Sequence, residues 1–315
     1  MKLNLWPWAL FGALVLPALA LDLGLFHSRR TEQRELTLRQ AATRTFAWAL
    51  LAFLFGLLVL VIYGQRAALT YVTAYVLEQS LSIDNVFVFL LIFSELRVPP
   101  AQQRGVLMWG VIGALLMRGL LIAAGLFLLN QFHWVVYPFA ALIIFAAARL
   151  LWGGQKQRQL VVEACGICST WVARIIPITP QYHSRRFLVR EPQRGGRFVA
   201  TPLLVALIIV ETTDIVFALD SVPAVLAVTR EPFIVYTSNI FAMLGLRSLY
   251  FVLAGVVERF RFLRVGLAAI LIFFGGRLLV GDFLEVPNGV SLGVIAVALA
   301  LSVIASVKWP GAATA

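Results

Sequence analysis

Long apolar runs recur along this chain, separated by short polar links. An α-helix rises 1.5 Å per residue, so roughly 20 apolar residues are needed to cross a hydrocarbon core about 30 Å thick. Nine segments meet that length: 5–26, 43–63, 69–93, 105–129, 134–152, 198–228, 233–257, 263–280 and 290–307. They are apolar on every face, unlike amphipathic surface helices, and they lack the alternation of transmembrane strands. The pattern predicts an all-α polytopic transmembrane bundle of nine spans. Most links hold 4 to 16 residues, and one, 153–197, holds about 45.

The pattern also repeats. FAALIIFAAARLLWG at 139–153 aligns with LAAILIFFGGRLLVG at 267–281, with eight of fifteen positions identical and Arg149 opposite Arg277. At nearly the same offset Asp84 falls opposite Asp214, Arg118 opposite Arg247 and Gly125 opposite Gly255. Apolar segments match easily by chance, but intramembrane charges do not. The chain therefore reads as one membrane domain, 1–315. It has two N-terminal spans within 1–63, a first three-span repeat over 69–152, the 153–197 loop, a second repeat over 198–282 and a last span within 288–308. A unit with an odd number of spans enters the membrane from opposite sides in its two copies, an inverted arrangement that recurs in secondary transporters.

Composition agrees with the pattern. The chain is 61% hydrophobic and only 13% charged, with a mean hydropathy of +0.91, against about 25% charged in soluble domains. The formal charge of +11 does not imply nucleic-acid binding, because topology accounts for it. With the N-terminus outside, 19 of the 26 Lys and Arg fall in cytoplasmic segments and only Lys2, Arg66 and Arg230 in outer ones. The positive-inside rule then gives N-out, C-in. The first run, with one Lys before it and Pro17–Ala18–Leu19–Ala20 near its end, also has features of a signal peptide. Its charge lies on the wrong side, so it is expected to stay as a span.

Five of the 15 acidic residues lie inside two spans: Glu78 and Asp84 in the third, Glu211, Asp214 and Asp220 in the sixth. An Asp at mid-helix costs at least about 2.5 kcal/mol to insert, so such groups face a cavity, pair, or bind something. Other oxygen donors surround them: Ser80, Ser82, Asn85, Thr212, Thr213 and Ser221. Glu78 and Asn85 share one helix face, as do Asp214 and Ser221, while Asp84 and Asp220 point elsewhere. Pro223 is expected to break or kink the sixth span beside Asp220, freeing carbonyls, and the length of that run points the same way. An oxygen-only donor set suits a hard divalent cation such as Mg, Ca or Mn. The three His (His27, His133 and His183) lie at or beyond span ends and are expected not to be ligands. Ion pairing with Arg118 and Arg247, and a proton relay, stay open beside metal binding.

At these residues the chain resembles the TerC family of integral membrane proteins. LEQSLSIDNVFVF at 77–89 and VETTDIVFALDSVPA at 210–224 are similar to its two signature segments, and SNIFAMLGLR at 238–247 to the segment after them. ALDLG at 20–24, and Tyr182 and His183 followed by FLVR at 187–190, also fit. The resemblance implies a nine-span bacterial inner-membrane protein of a family associated with tellurium resistance, whose better-understood relatives export manganese. It implies that Glu78, Asp84, Glu211, Asp214 and Asp220 are the family's intramembrane acids, and that Asn85, Asn239, Arg118 and Arg247 are the polar positions around them. Two features depart from the pattern. Glu285-Val-Pro287 stands where many relatives carry His-Ile-Pro, and the loop holds Cys165-Gly-Ile-Cys168. A lone thiol pair on the reducing side neither forms a disulfide framework nor completes a tetrahedral zinc site.

Together these observations lead to an expected transporter exporting a divalent cation, Mn²⁺ first, through Glu78, Asp84, Asn85, Glu211, Asp214 and Asp220, with Arg118, Arg247 and Asn239 in support. The expected partners are that cation, the lipid bilayer and proteins bound through the 153–197 loop; no prosthetic group is expected. The alternative is a membrane stress or assembly protein linked to tellurite resistance without transport activity. Enzyme chemistry is not expected, because the chain has no nucleophile–base pair, HExxH or phosphate-cradling glycine loop.

Overall fold

The computed structural model describes residues 5–22, 37–152, 154–179, 181–182, 186–191, 196–254, 262–281 and 286–309. Each of the nine apolar runs is found as a helix: α1 (Leu5–Asp22), α2 (Leu38–Tyr63), α3 (Gln65–Glu95), α4 (Pro100–Gln131), α5 (Val136–Trp152), α7 (Pro202–Val228), α8 (Pro232–Leu253), α9 (Leu263–Val280) and α10 (Asn288–Lys308). A tenth, α6 (Gly154–Ile175), lies in the long loop. The chain is thus an all-α polytopic protein. Among the described residues, seven helices, α2 to α5, α7, α9 and α10, are long and apolar enough to cross a membrane. Of the other two, α1 has a shorter apolar stretch, and α8 carries Tyr236, Thr237, Ser238, Asn239, Arg247 and Ser248.

Local chemistry sets the helix ends. Thr37 and Gln40 form a capping box at the start of α2, satisfying donors that the first turn leaves unpaired. Pro100, Pro202 and Pro232 each open a helix, where a missing N–H costs nothing. Between α2 and α3 the chain turns at Gly64, whose φ of +84° disfavours any residue with a Cβ.

Polarity runs from inside out. Phe46, Phe53 and Val61 on α2 and Val297, Leu301 and Ile304 on α10 are exposed, while Glu78, Asp84, Arg118, Asp214 and Asn239 are buried. Water would penalise that arrangement, whereas lipid requires it. The bundle packs as an exchange of the two repeats predicts: α5 lies on α9, α3 on α8, and α4 on α7. At the α5–α9 contact a Cβ on Gly275 would lie 2.8 Å from Ile144, so the missing side chain lets the helices close.

The repeats run antiparallel. The first residues of α3 and the last of α7 line one cavity, at one end of the bundle. At the other end Tyr250, near the end of α8, donates to Gln103, near the start of α4, at 2.9 Å.

Three sequence expectations change. The sixth run does not begin as a helix at 198: β2 (Arg197–Ala200) pairs antiparallel with β1 (Leu188–Glu191), and the helix starts at Pro202. Nor does Pro223 end α7, which continues to Val228 with Pro223 buried; packed neighbours in a membrane bundle offset the lost hydrogen bond. The 153–197 link, read from the sequence only as a loop, contains a helix and a strand among its described residues. Its α6 places Val161, Cys165, Cys168 and Val172 against α3 and α7. The first run's residues 23–26, and Glu285, lie outside the described residues.

Candidate functional site

The centre of the bundle is organised by Arg118 on α4, only 2% exposed. Its guanidinium forms an ion pair with Glu78 of α3, lies 3.5 Å from Asp214 of α7 through Nε, and donates from Nη1 to Oδ1 of Asn239 on α8 at 3.4 Å. One side chain therefore ties the first two helices of each repeat together. Glu78, Asp214 and Asn239 are all buried. Among the described residues, Oε2 of Glu78, Oδ1 of Asp214 and Nδ2 of Asn239 have no hydrogen-bond partner, a costly condition at low dielectric. Ser82 and Ser221 also carry buried hydroxyl oxygens without a partner.

A second group lies to one side. Arg149 of α5 pairs with Asp220 of α7, and these side chains are 36% and 16% exposed. Asp84, Asn85 and Ser221 line the same small cavity, of about 30 Å³. A wider crevice of about 490 Å³ between α6 and helices α3, α5 and α7 reaches Asp84 and Arg149, with Thr212 and Thr213 on its wall.

Glu211 stands apart from both groups, one helical turn before Asp214, with its carboxylate over Gly113 of α4. A Cβ at Gly113 would collide with that carboxylate. Arg247 of α8 is half-buried and borders a very small cavity together with Asp214.

The structure thus gathers most of the sequence-predicted residues into two neighbouring sets, with Glu211 and Arg247 outside both. Glu78, Asp214, Asn239 and Arg118 form one; Asp84, Asn85 and Asp220 form the other, around Arg149. The repeat-equivalent Asp84 and Asp214 line different cavities. Among the described residues no three His, Cys, Asp or Glu side chains lie close enough to hold a metal ion together. In this conformation guanidinium groups occupy the positions between carboxylates.

Arg149 is the functional candidate that sequence reasoning overlooked. Its signal was present, since it lies inside an apolar run, away from the cationic links, and aligns with Arg277. Those two are not alike in the structure: Arg277 donates to Ser291 Oγ and Asn288 Oδ1, both neutral.

Outside the spans, burial first, and then the charge of Glu95 and the neighbouring Cys168, push the Cys165 thiol up to about 11. Burial also raises Cys168. Both thiols are free. A thiol so raised is a poor nucleophile at neutral pH.

Comparison with known proteins matches this arrangement to a family. The sequence profile of the TerC family of integral membrane proteins matches residues 63–311. The chain is 45% identical to "Uncharacterized membrane protein STKORF319" of Myxococcus xanthus, over 95% of this chain and 91% of that one. It is 41% identical to "Putative membrane-bound redox modulator Alx" of Escherichia coli (strain K12), over 91% of this chain and 90% of the relative. An "Uncharacterized membrane protein" of Rickettsia felis is 34% identical over 95% and 97%. No solved structure matches. The profile spans both repeats, the two carboxylate sets and the last helix, and the chain belongs to the TerC family of integral membrane proteins.

Proposed function

We propose that this chain is a nine-span transporter of the cell inner membrane that exports a divalent metal cation, most of all Mn²⁺. Its N-terminus faces out and its C-terminus faces the cytoplasm. One observation carries the reading: two sets of intramembrane carboxylates lie at the junction of two antiparallel repeats. Glu78, Asp84, Glu211, Asp214 and Asp220 stand against Arg118, Arg149 and Arg247. With all eight ionised, two negative charges are left over, the charge that one divalent cation cancels.

The cation is the cargo, and the protein's own groups replace its water. A hard ion takes six to eight oxygens, and Asp84, Asn85, Asp220 and Ser221, around the small cavity beside the crevice, offer one set. Arg149 must leave Asp220 for the ion to bind there. Glu78, Asp214 and Asn239 offer the occluded set, which opens when Arg118 withdraws. Arg118 and Arg149 hold carboxylates while the ion is away, so an empty site buries less uncompensated charge. Alternating access follows from rocking one antiparallel repeat against the other.

The name carried by the Escherichia coli relative offers a second reading, a redox or stress role without transport. The feature that favours it is the Cys165–Cys168 pair on α6. The raised pKa of both thiols weighs against it. The separating experiment is cellular Mn content under graded Mn stress, with and without the protein. Transport predicts lower Mn content and better growth when the protein is present; unchanged Mn content with altered thiol status would favour the second reading. A reporter fused at Ala315 should behave as a cytoplasmic fusion, and a periplasmic C-terminus would overturn the proposed topology.

A further inference from the structure

At the end of the bundle opposite Glu95, a cavity of about 800 Å³ opens between the first residues of α3 and α10 and the last residues of α7 and α9. Three guanidinium-bearing residues line it: Arg66, Arg230 and Arg277. The convergence is unexpected from composition, because this side of the chain is poor in cations. Arg66 and Arg230 are two of only three Lys or Arg in the segments that face it.

Arg277 is held rigidly. It donates 2.6 Å to Ser291 Oγ and 2.8 Å to Asn288 Oδ1, and Asn288 in turn donates 2.6 Å to Thr70 Oγ1. All of these partners are neutral, and among the described residues no carboxylate pairs with Arg277, Arg66 or Arg230. The end of α9 favours a cation in its last turn, which accounts for part of Arg277's placement. Arg230, just past the end of α7, gains from the dipole of that helix in the same way, but Arg66 lies in the first turn of α3, where the dipole disfavours positive charge. Three guanidinia with no counter-charge among the described residues repel one another, and a planar, pre-oriented guanidinium matches an oxyanion in two parallel hydrogen bonds.

We propose that this cavity binds an oxyanion of the phosphate class, with Arg277 as the fixed donor and the exposed Arg66 and Arg230 closing over it. The same chemistry is supplied by a free phosphate in water or by the headgroup of an anionic phospholipid. The site is separate from the carboxylate sets and does not depend on the transport reading.

The test uses the purified full-length chain in neutral detergent, with thermal unfolding followed by tryptophan fluorescence. One arm titrates sodium phosphate against sodium chloride at matched ionic strength. The other titrates phosphatidylglycerol against phosphatidylcholine in mixed micelles. A saturable rise in Tm with phosphate identifies a water-borne anion, and one with phosphatidylglycerol alone identifies a headgroup; either supports the site. Arg277→Gln should abolish the rise. The double variant R66Q/R230Q changes only exposed residues and keeps the test decisive if Arg277→Gln does not fold. It should weaken half-saturation roughly tenfold or more, while Arg174→Gln on α6 should leave it unchanged. Asp282 and Glu285, in the link between α9 and α10, lie outside the described residues. If they already neutralise the guanidinia, neither phosphate nor phosphatidylglycerol will shift Tm. That result, or a shift unaltered in R66Q/R230Q, overturns the proposal.

Discussion

Arg118 on α4 and Arg149 on α5 each hold a carboxylate of α7, yet their surroundings are opposite. Arg118 is 2% exposed and joins Glu78, Asp214 and Asn239 from three other helices. Arg149 is 36% exposed, holds Asp220, and borders two cavities that Asp84 also lines. The same chemical pair thus does two jobs. Removing one partner of a buried pair strands a charge at low dielectric, and the penalty shrinks where the remaining partner is less enclosed. The buried set is suited to hold the repeats together and to occlude, and the open set to admit a cation.

The comparison is sharpest when Arg118 is removed. Arg118→Ala leaves Glu78 and Asp214 buried without a counter-charge, and should cost about 3–5 kcal/mol. Thermal unfolding in detergent and the yield of inserted protein measure this; Arg118→Lys should recover part of the loss, since it keeps the charge but not the reach to three partners. If Arg118→Ala inserts and melts like the parent, the central pairing is wrong.

A smaller effect is expected from Gly113→Ala, because the added Cβ meets the Glu211 carboxylate. Overpacking of this kind costs about 1–3 kcal/mol, read as a lower Tm. An unchanged Tm would mean that Glu211 moves aside freely.

Arg149→Gln should cost less in stability than Arg118→Ala, because both members of its pair are partly exposed, while changing Mn²⁺ flux. A large loss of stability there would erase the distinction between the two sets. The smallest effect is expected from C165S/C168S. With both thiols raised and free, transport should be unchanged, and loss of flux in that variant would move attention to the redox reading.

Much of the fold was legible because lipid leaves few choices: nine apolar runs became nine helices. The exchange of α3 with α7 and α4 with α8 could be read from Arg and Asp retained at equal spacing. The 153–197 loop was less legible. On α6 the apolar positions Val161, Cys165, Cys168 and Val172 recur every three or four residues, which is a helical signal. It was masked by a polar, Arg-rich composition. Likewise FLV and FV on either side of Gly195-Gly196 carry a hairpin signal, hidden at the start of an apolar run that was taken whole.

In the candidate site, burial of Glu78, Asp84 and Asp214 and the pairing of Arg118 followed from the cost of charge in lipid. The division into two sets did not. Repeat symmetry pointed to Asp84 with Asp214, but at the repeat offset of 130 Asp220 falls opposite Leu90 and Glu78 opposite Ile208. The acids are therefore asymmetric between the halves. Which of them meet depends on the packing of α5 against α7, which no local pattern encodes; Arg149 carried a signal of its own, but its partner Asp220 did not follow from it.

The central claim is that these carboxylates carry a divalent cation across the membrane. The most direct measurement is Mn²⁺ flux into proteoliposomes containing an internal Mn-sensitive dye, for the parent chain, Asp84→Asn and Asp214→Asn at equal reconstitution. Both substitutions keep size and hydrogen bonding while removing one charge, so all three proteins should insert. The account predicts saturable flux in the parent and a loss of roughly tenfold or more in each variant, since a hard ion needs anionic oxygens to replace its hydration shell. Undiminished flux in both variants would contradict the site assignment, and no Mn²⁺ flux in the parent would contradict Mn²⁺ transport itself.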